Sequence, residues 1–222
     1  MLDPVTPSRS PDAPVRRAAA AGTDSLPDLL LVERARAGEQ HAIAALVRRY
    51  GRRLYRVARS VVPDGERAEL IVQEAYLAAF GDLSRYEPTG KFAAWLTRLT
   101  YQQAHAQRGP ARAAGALPPD LPQGGNATRE QREVEHAIGA LPEVFRTVFV
   151  LRIIEGISGI ETAACLGVHE TTVRTRLYRA QRRLTAATVQ RVRGLPALLE
   201  LPATRLEQLL QQVLTQLPAA PR

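Results

Sequence analysis

Between Arg108 and Thr128 the chain carries Gly109, Pro110, Gly115, Pro118, Pro119, Pro122, Gly124 and Gly125, a composition that sustains neither a helix nor a strand. That stretch cuts the 222 residues into two parts, each large enough for a small bundle and too small for a large barrel. On both sides the apolar residues recur at helical spacing, and no apolar-polar alternation of a strand appears. Aromatics make up 5% of the chain while Ala, Leu and Arg dominate, which favours helices over sheets. The expected fold is all-α: two small helical domains joined by a flexible linker, with a C-terminal amphipathic helix.

Residues 1–24, rich in Pro, Ala and Arg, read as a disordered leader. They lack the apolar segment of a secretory signal. The longest apolar runs, such as 29–32, fall far short of the roughly 20 residues a membrane span needs. A cytoplasmic protein without membrane insertion is expected. Residues 25–107 form the first domain, with helices over 27–37, through Ile43 to Val57 until Pro63 and Gly65 break it, over 66–80 and over 91–107. In the second of these, Ile43, Leu46, Val47, Tyr50, Leu54 and Val57 make the apolar stripe, and Arg48, Arg49, Arg52, Arg53 and Arg56 occupy the other side. Trp95 falls on the stripe of the fourth with Phe92 and Leu99, so it reads as core. Residues 108–128 are the linker. Residues 129–193 form the second domain, with helices over 129–140, 142–155, 158–166 and 170–192. In the extension, 194–222, Leu206, Leu209, Leu210, Val213, Leu214 and Leu217 line one face of a helix. A lone helix of that length is marginal in water, so it is expected to pack on the protein's own domains, the alternative being a partner protein.

No constellation supports catalysis. Cys165 is the single cysteine, which excludes an internal disulfide and any zinc site built on paired cysteines. It reads as a small buried hydrophobe. His41, His105, His136 and His169 share no ligand spacing, and no serine or cysteine stands in a nucleophile motif. No catalytic residue, metal or cofactor is expected.

Charge and spacing instead point to nucleic acid. Of the 30 Lys and Arg residues only Lys91 is a lysine, and the formal net charge is +8. Nearly every positive group is thus a planar fork suited to phosphate or guanine. Arginines 174, 176, 179, 182, 183, 191 and 193 crowd Thr171 to Arg193 without one acid. Just upstream, Ser158-Gly159-Ile160-Glu161 is a capping box. Ala163 four residues before Gly167, and Val173 six after it, give the spacing of a helix-turn-helix. Val173, Leu177, Ala180 and Leu184 then face inward. That leaves Glu170, Thr171, Thr172, Arg174, Thr175, Arg176, Tyr178 and Arg179 free to reach base edges and phosphates, with Arg182 and Arg183 holding the backbone.

Taken together, Leu141-Pro142-Glu143, Phe145 to Arg152, Glu155 to Ser158, Glu161-Thr162-Ala163, Leu166-Gly167-Val168 and Thr172 to Ala180 closely resemble region four of the extracytoplasmic-function sigma factors of bacterial RNA polymerase. Ile71 to Leu77 and Phe92-Ala93-Ala94-Trp95-Leu96 resemble region two of the same family. The resemblance implies a subunit that binds core RNA polymerase and promoter DNA, with region two on the minus-ten element and region four on the minus-thirty-five element and the polymerase flap. It also implies that Gln73 and Glu74 contact the polymerase clamp. An anti-sigma factor is a further candidate partner. The alternative is a helix-turn-helix regulator that is not a polymerase subunit, for which residues 66–99 would have no use. Two departures stand out: Leu70 replaces a usual acid, and residues 102–108 (Gln-Gln-Ala-His-Ala-Gln-Arg) are less basic than the family's pattern, which implies weaker phosphate contact there.

Overall fold

The computed structural model describes residues 23, 25–83, 86–87, 91–108, 128–195 and 198–217. Of the leader, residues 1–22 and 24 lie outside them, as do linker residues 109–127. Among the described residues every regular element is helical.

Helix α1 (Asp28–Arg36) starts after Pro27 and ends before Gly38, whose φ of 79° makes the turn. Helix α2 (Gln40–Val61) is the longest and contains no acid. Helix α3 (Gly65–Gly81) is capped by Asp64, which accepts from Arg67 N at 2.7 Å. Helix α4 (Phe92–Ala106) completes the first unit. Leu31, Leu46, Leu54, Ile71, Tyr76, Phe92 and Leu96 fill the space among these four, as their periodicity predicts. Trp95 packs on this core, 5.6 Å from Phe92 and 5.4 Å from Tyr86 by ring centroid. It is partly buried against that core, on the side its stripe indicated.

In the second unit α5 (Arg129–Gly139) opens on a capping box between Thr128 and Gln131. Helix α6 (Glu143–Phe149) follows, then α7 (Gly159–Leu166), α8 (Glu170–Arg183) and α9 (Ala186–Gly194). Two expected helices need correcting. The one over 142–155 does not stay α: Val150–Ile154 widens into a π turn, with Glu155 N donating to Val150 O at 2.9 Å. The one over 170–192 is broken. Leu184 goes extended (φ −88°, ψ 146°) and buries its side chain, while Thr185 caps α9 by accepting from Thr188 N at 3.1 Å. The core gains Leu184 and a new helix start is satisfied at once.

Helix α10 (Ala203–Gln216) returns to the first unit and lies on α2 and α3. Leu206, Leu209, Leu210 and Val213 join the first core, each burial being worth up to about 1.5–3 kcal/mol. A Leu206 methyl fills the space that a Cβ on Gly51 would need. The tail does pack on its own protein.

The two units also meet directly. Arg146, buried in α6, donates Nε–H to Ser60 O at 2.7 Å and NH2 to Val61 O at 3.4 Å across the boundary, and NH1 to Gly139 O and Leu141 O at 2.9 and 3.2 Å within its own unit. One guanidinium therefore satisfies carbonyls at helix ends in both halves. Glu155, at the end of the π turn, receives Arg53 Nε at 3.0 Å and also pairs with Arg56, its own side chain 6% exposed. Such a buried carboxylate needs both partners.

Candidate nucleic-acid interface

The helix-turn-helix is assembled as its spacing requires. Ser158 Oγ accepts from Glu161 N at 3.2 Å and the Glu161 carboxylate accepts from Ser158 N at 3.3 Å, so α7 starts sharply. Lys91 and the two Ser158 donors hold the Glu161 carboxyl below its ordinary range. Gly167 ends α7 in the left-handed region (φ 66°, ψ 35°), which a side chain would strain. Val173 then wedges against Val148 and Ala163, fixing the angle between α7 and α8.

Helix α8 presents the predicted residues. Glu170, Thr171, Arg174, Thr175, Tyr178, Arg179, Arg182 and Arg183 are exposed, and Thr172 and Arg176 half-buried. Five of these are exposed or half-exposed arginines, a density of fixed positive charge suited to a phosphate backbone. Tyr178, 58% exposed, carries Arg182 over its ring at 5.9 Å and accepts from its NH1 at 3.3 Å. Thr175 Oγ1 is turned back to Thr171 O at 2.9 Å. Two residues stand somewhat apart. Arg183 stacks over Phe145 at 4.7 Å, and Arg176 lies close enough to the first unit to act electrostatically on Tyr101 of α4. Glu170, just before the acid-free run, reaches Arg174 at 4.0 Å and packs over Gly159, where a Cβ would come within 2.9 Å of its Oε1.

The second predicted patch is on α3. Glu74 is exposed and Gln73 half-buried. Glu74 accepts from the side chain of Gln107, whose carbonyl takes Arg67 NH2 at 3.0 Å, so the carboxylate is positioned by the end of α4. Leu70, 57% exposed, and half-buried Leu77 share this face, one turn to either side. Val72 does not: it is wholly buried in the first core. Glu74 lies on the first unit and α8 on the second.

Sequence reasoning missed the groups that join the units. Five of the six arginines along α2 find a carboxylate from another part of the chain. Arg48 meets Glu207 at 2.9 Å, Arg49 meets Asp28 at 2.6 Å, Arg52 meets Glu200 at 3.2 Å, and Arg53 and Arg56 share Glu155. The available signal was a 22-residue helix with no acid of its own to offset them. Among the described residues no group of three or more His, Cys, Asp and Glu could hold a metal, and no helix is long and apolar enough to cross a membrane.

Comparison with known proteins covers both units. Residues 46–108 match the family Sigma-70 region 2, and residues 131–184 match Sigma-70, region 4. The ECF RNA polymerase sigma-E factor of Escherichia coli (strain K12) is 30% identical over 178 residues, covering 72% of this chain and 93% of that protein. The ECF RNA polymerase sigma factor SigE of Mycolicibacterium smegmatis is 33% identical over 163 residues, 66% of this chain and 63% of that one. Among solved structures, CnrH in complex with the cytosolic domain of CnrY aligns with a TM-score of 0.56 at 31% identity, covering 72% of this chain and 96% of that one.

Proposed function

The chain belongs to the extracytoplasmic-function sigma factors of RNA polymerase, and from that membership we propose how its parts divide the work of directing core polymerase to promoters. Residues 25–107 act at the minus-ten element and on the polymerase clamp, with Gln73 and Glu74 as clamp contacts. Residues 129–193 act at the minus-thirty-five element through α8. Residues 108–128 connect the two, and 194–222 is an extension outside both family matches. A regulator working apart from polymerase would have no use for the first unit.

The observation that carries this reading is the face of α8. Thr171, Arg174, Thr175, Tyr178, Arg179 and Arg182 are all exposed on one helix, and that helix is held on a rigid turn by Gly167 and Val173. Threonines and arginines near the start of such a helix supply base-edge contacts, and the later arginines supply phosphate contacts. The chain confers promoter choice and leaves nucleotide chemistry to the enzyme it joins, which places its work in the cytoplasm. The half-buried Leu77 and exposed Leu70 beside Glu74 give the clamp face an apolar element, in keeping with a protein-binding surface. The solved complex of CnrH with the cytosolic domain of CnrY supports a second protein as a further partner class.

A gel shift on promoter DNA and a pull-down on core polymerase, run in parallel, test the division of labour. Substitution in α8 should weaken DNA binding and spare polymerase; substitution at Glu74 should do the reverse. Equal loss in both assays for both variants, with helical content kept, would remove the assignment.

A further inference from the structure

The C-terminal extension ties the two units together. Leu198 and Leu199 are buried in the second core, and Leu199 N donates to Glu135 Oε1 of α5 at 2.7 Å. Leu199 holds this position at φ 51°, a left-handed conformation that a leucine adopts only when its surroundings require it. Two residues later Leu201 is buried in the first core, and α10 follows it there. Three ion pairs fix the seat: Arg48 with Glu207, Arg52 with Glu200, and Arg205 with Glu69, the last through two bonds of 2.8 and 3.1 Å. In this arrangement α7 rests against α4. Lys91 meets Glu161 at 3.0 Å, and Cys165 and Leu151 pack with Val57, with Tyr101 against them.

Geometry makes this closed form incompatible with a promoter. The minus-ten and minus-thirty-five elements are 25 base pairs apart by name, about 85 Å at 3.4 Å per base pair. A compact chain of 222 residues has a radius of gyration near 17 Å, or about 45 Å across. The units must part for each to reach its element. While α10 keeps its seat, the second unit is held to the first by residues 195–202, and eight residues reach at most about 28 Å. The connector 108–128 is long enough to allow the parting; the docked extension is not.

We propose that α10 is a releasable strap: docked on α2 and α3 it holds the sigma factor shut, and it leaves that seat when the chain engages polymerase and promoter. The proposal rests on the sigma-factor reading. It gives the arginine side of α2 a purpose, since Arg48 and Arg52 hold the strap while Arg53 and Arg56 hold Glu155 of the second unit.

The test locks the strap. In a Cys165→Ser chain, Arg48→Cys with Glu207→Cys is bridged by a short reducible dithiol-reactive cross-linker, and Glu69→Cys with Arg205→Cys provides a second, independent lock. With core polymerase and a promoter template, the locked chain should lose at least about tenfold in promoter-specific transcript and regain it on reduction. Locked chains that transcribe as well as unlocked ones would overturn the strap. A wild-type chain inactive with core polymerase would overturn the sigma-factor reading instead, and the strap with it. A measurement without polymerase uses Cys165, whose thiol burial pushes up to about 12. In the free protein, Leu209→Glu with Val213→Glu should speed thiol labelling of Cys165 about tenfold while helical content is kept. An unchanged labelling rate would show that the strap does not hold the units together.

Discussion

Gly51, in the middle of α2, is the floor on which Leu206 of α10 sits: a leucine methyl occupies the position of the missing Cβ. Alanine at 51 therefore carries two opposed effects. It gains up to about 1 kcal/mol of helix propensity and loses about 1–3 kcal/mol to overpacking under Leu206. In wild type Gly51→Ala should lower the melting temperature or leave it level. In a Leu206→Ala background the same substitution should raise it. Thermal melts of the four proteins form a double-mutant cycle, and additivity would show that the two residues do not touch.

Arg146 is a second test of the boundary between units. Its guanidinium serves four backbone carbonyls, two on each side, and burial lowers its pKa from the ordinary arginine value. Lysine cannot reach four acceptors from one ammonium. Arg146→Lys should cost about 2–3 kcal/mol in urea unfolding, and Arg146→Ala at least as much. A loss under about 0.5 kcal/mol for both would mean that water replaces the guanidinium freely.

On α8, Arg174→Ala should weaken promoter DNA binding by roughly 1–3 kcal/mol if it reads a base edge, with core-polymerase binding unchanged. Glu74→Arg should weaken polymerase association and leave DNA binding by α8 intact. Arg183→Ala should cost less DNA affinity than Arg174→Ala, because Arg183 already stacks on Phe145. Titrations at two salt concentrations separate phosphate from base contacts through the salt slope.

Glu135 sets a pH dependence. Burial pushes its carboxyl up, the Leu199 N–H it accepts and the Arg59 charge offsetting only part. A raised carboxyl contributes stability that is complete below its unfolded pKa of about 4.3 and is lost as pH rises through its folded pKa. Glu135→Gln keeps an acceptor for Leu199 N and does not titrate. Its melting temperature relative to wild type should therefore increase from pH 4 to pH 7. A difference that shrinks over that range would contradict the assignment.

Local chemistry made much of this legible in the sequence. Pro27, Gly38, Gly167 and the Ser158 capping box mark helix ends through bonds among near neighbours, and Val173 follows from turn spacing. The exposed side of α8 follows from the stripe of Val173, Leu177 and Ala180. What escaped depends on distant partners. Nothing within α2 says that Arg53 faces Glu155, 102 residues on, and a row of arginines on a helix surface reads as solvated until its carboxylates are placed. The break at Leu184 is also tertiary: residues 170–192 have unbroken helical propensity, and only burial of Leu184 with the cap at Thr185 favours two helices over one.

Promoter choice conferred on core polymerase is read out by transcription from a pool of randomised promoters with core enzyme and this chain, followed by sequencing of the transcript starts. The starts should be preceded by two enriched blocks centred near positions minus ten and minus thirty-five, the upstream block fading with Arg174→Ala. Failure to bind core enzyme, or transcripts with no enriched block, would contradict it.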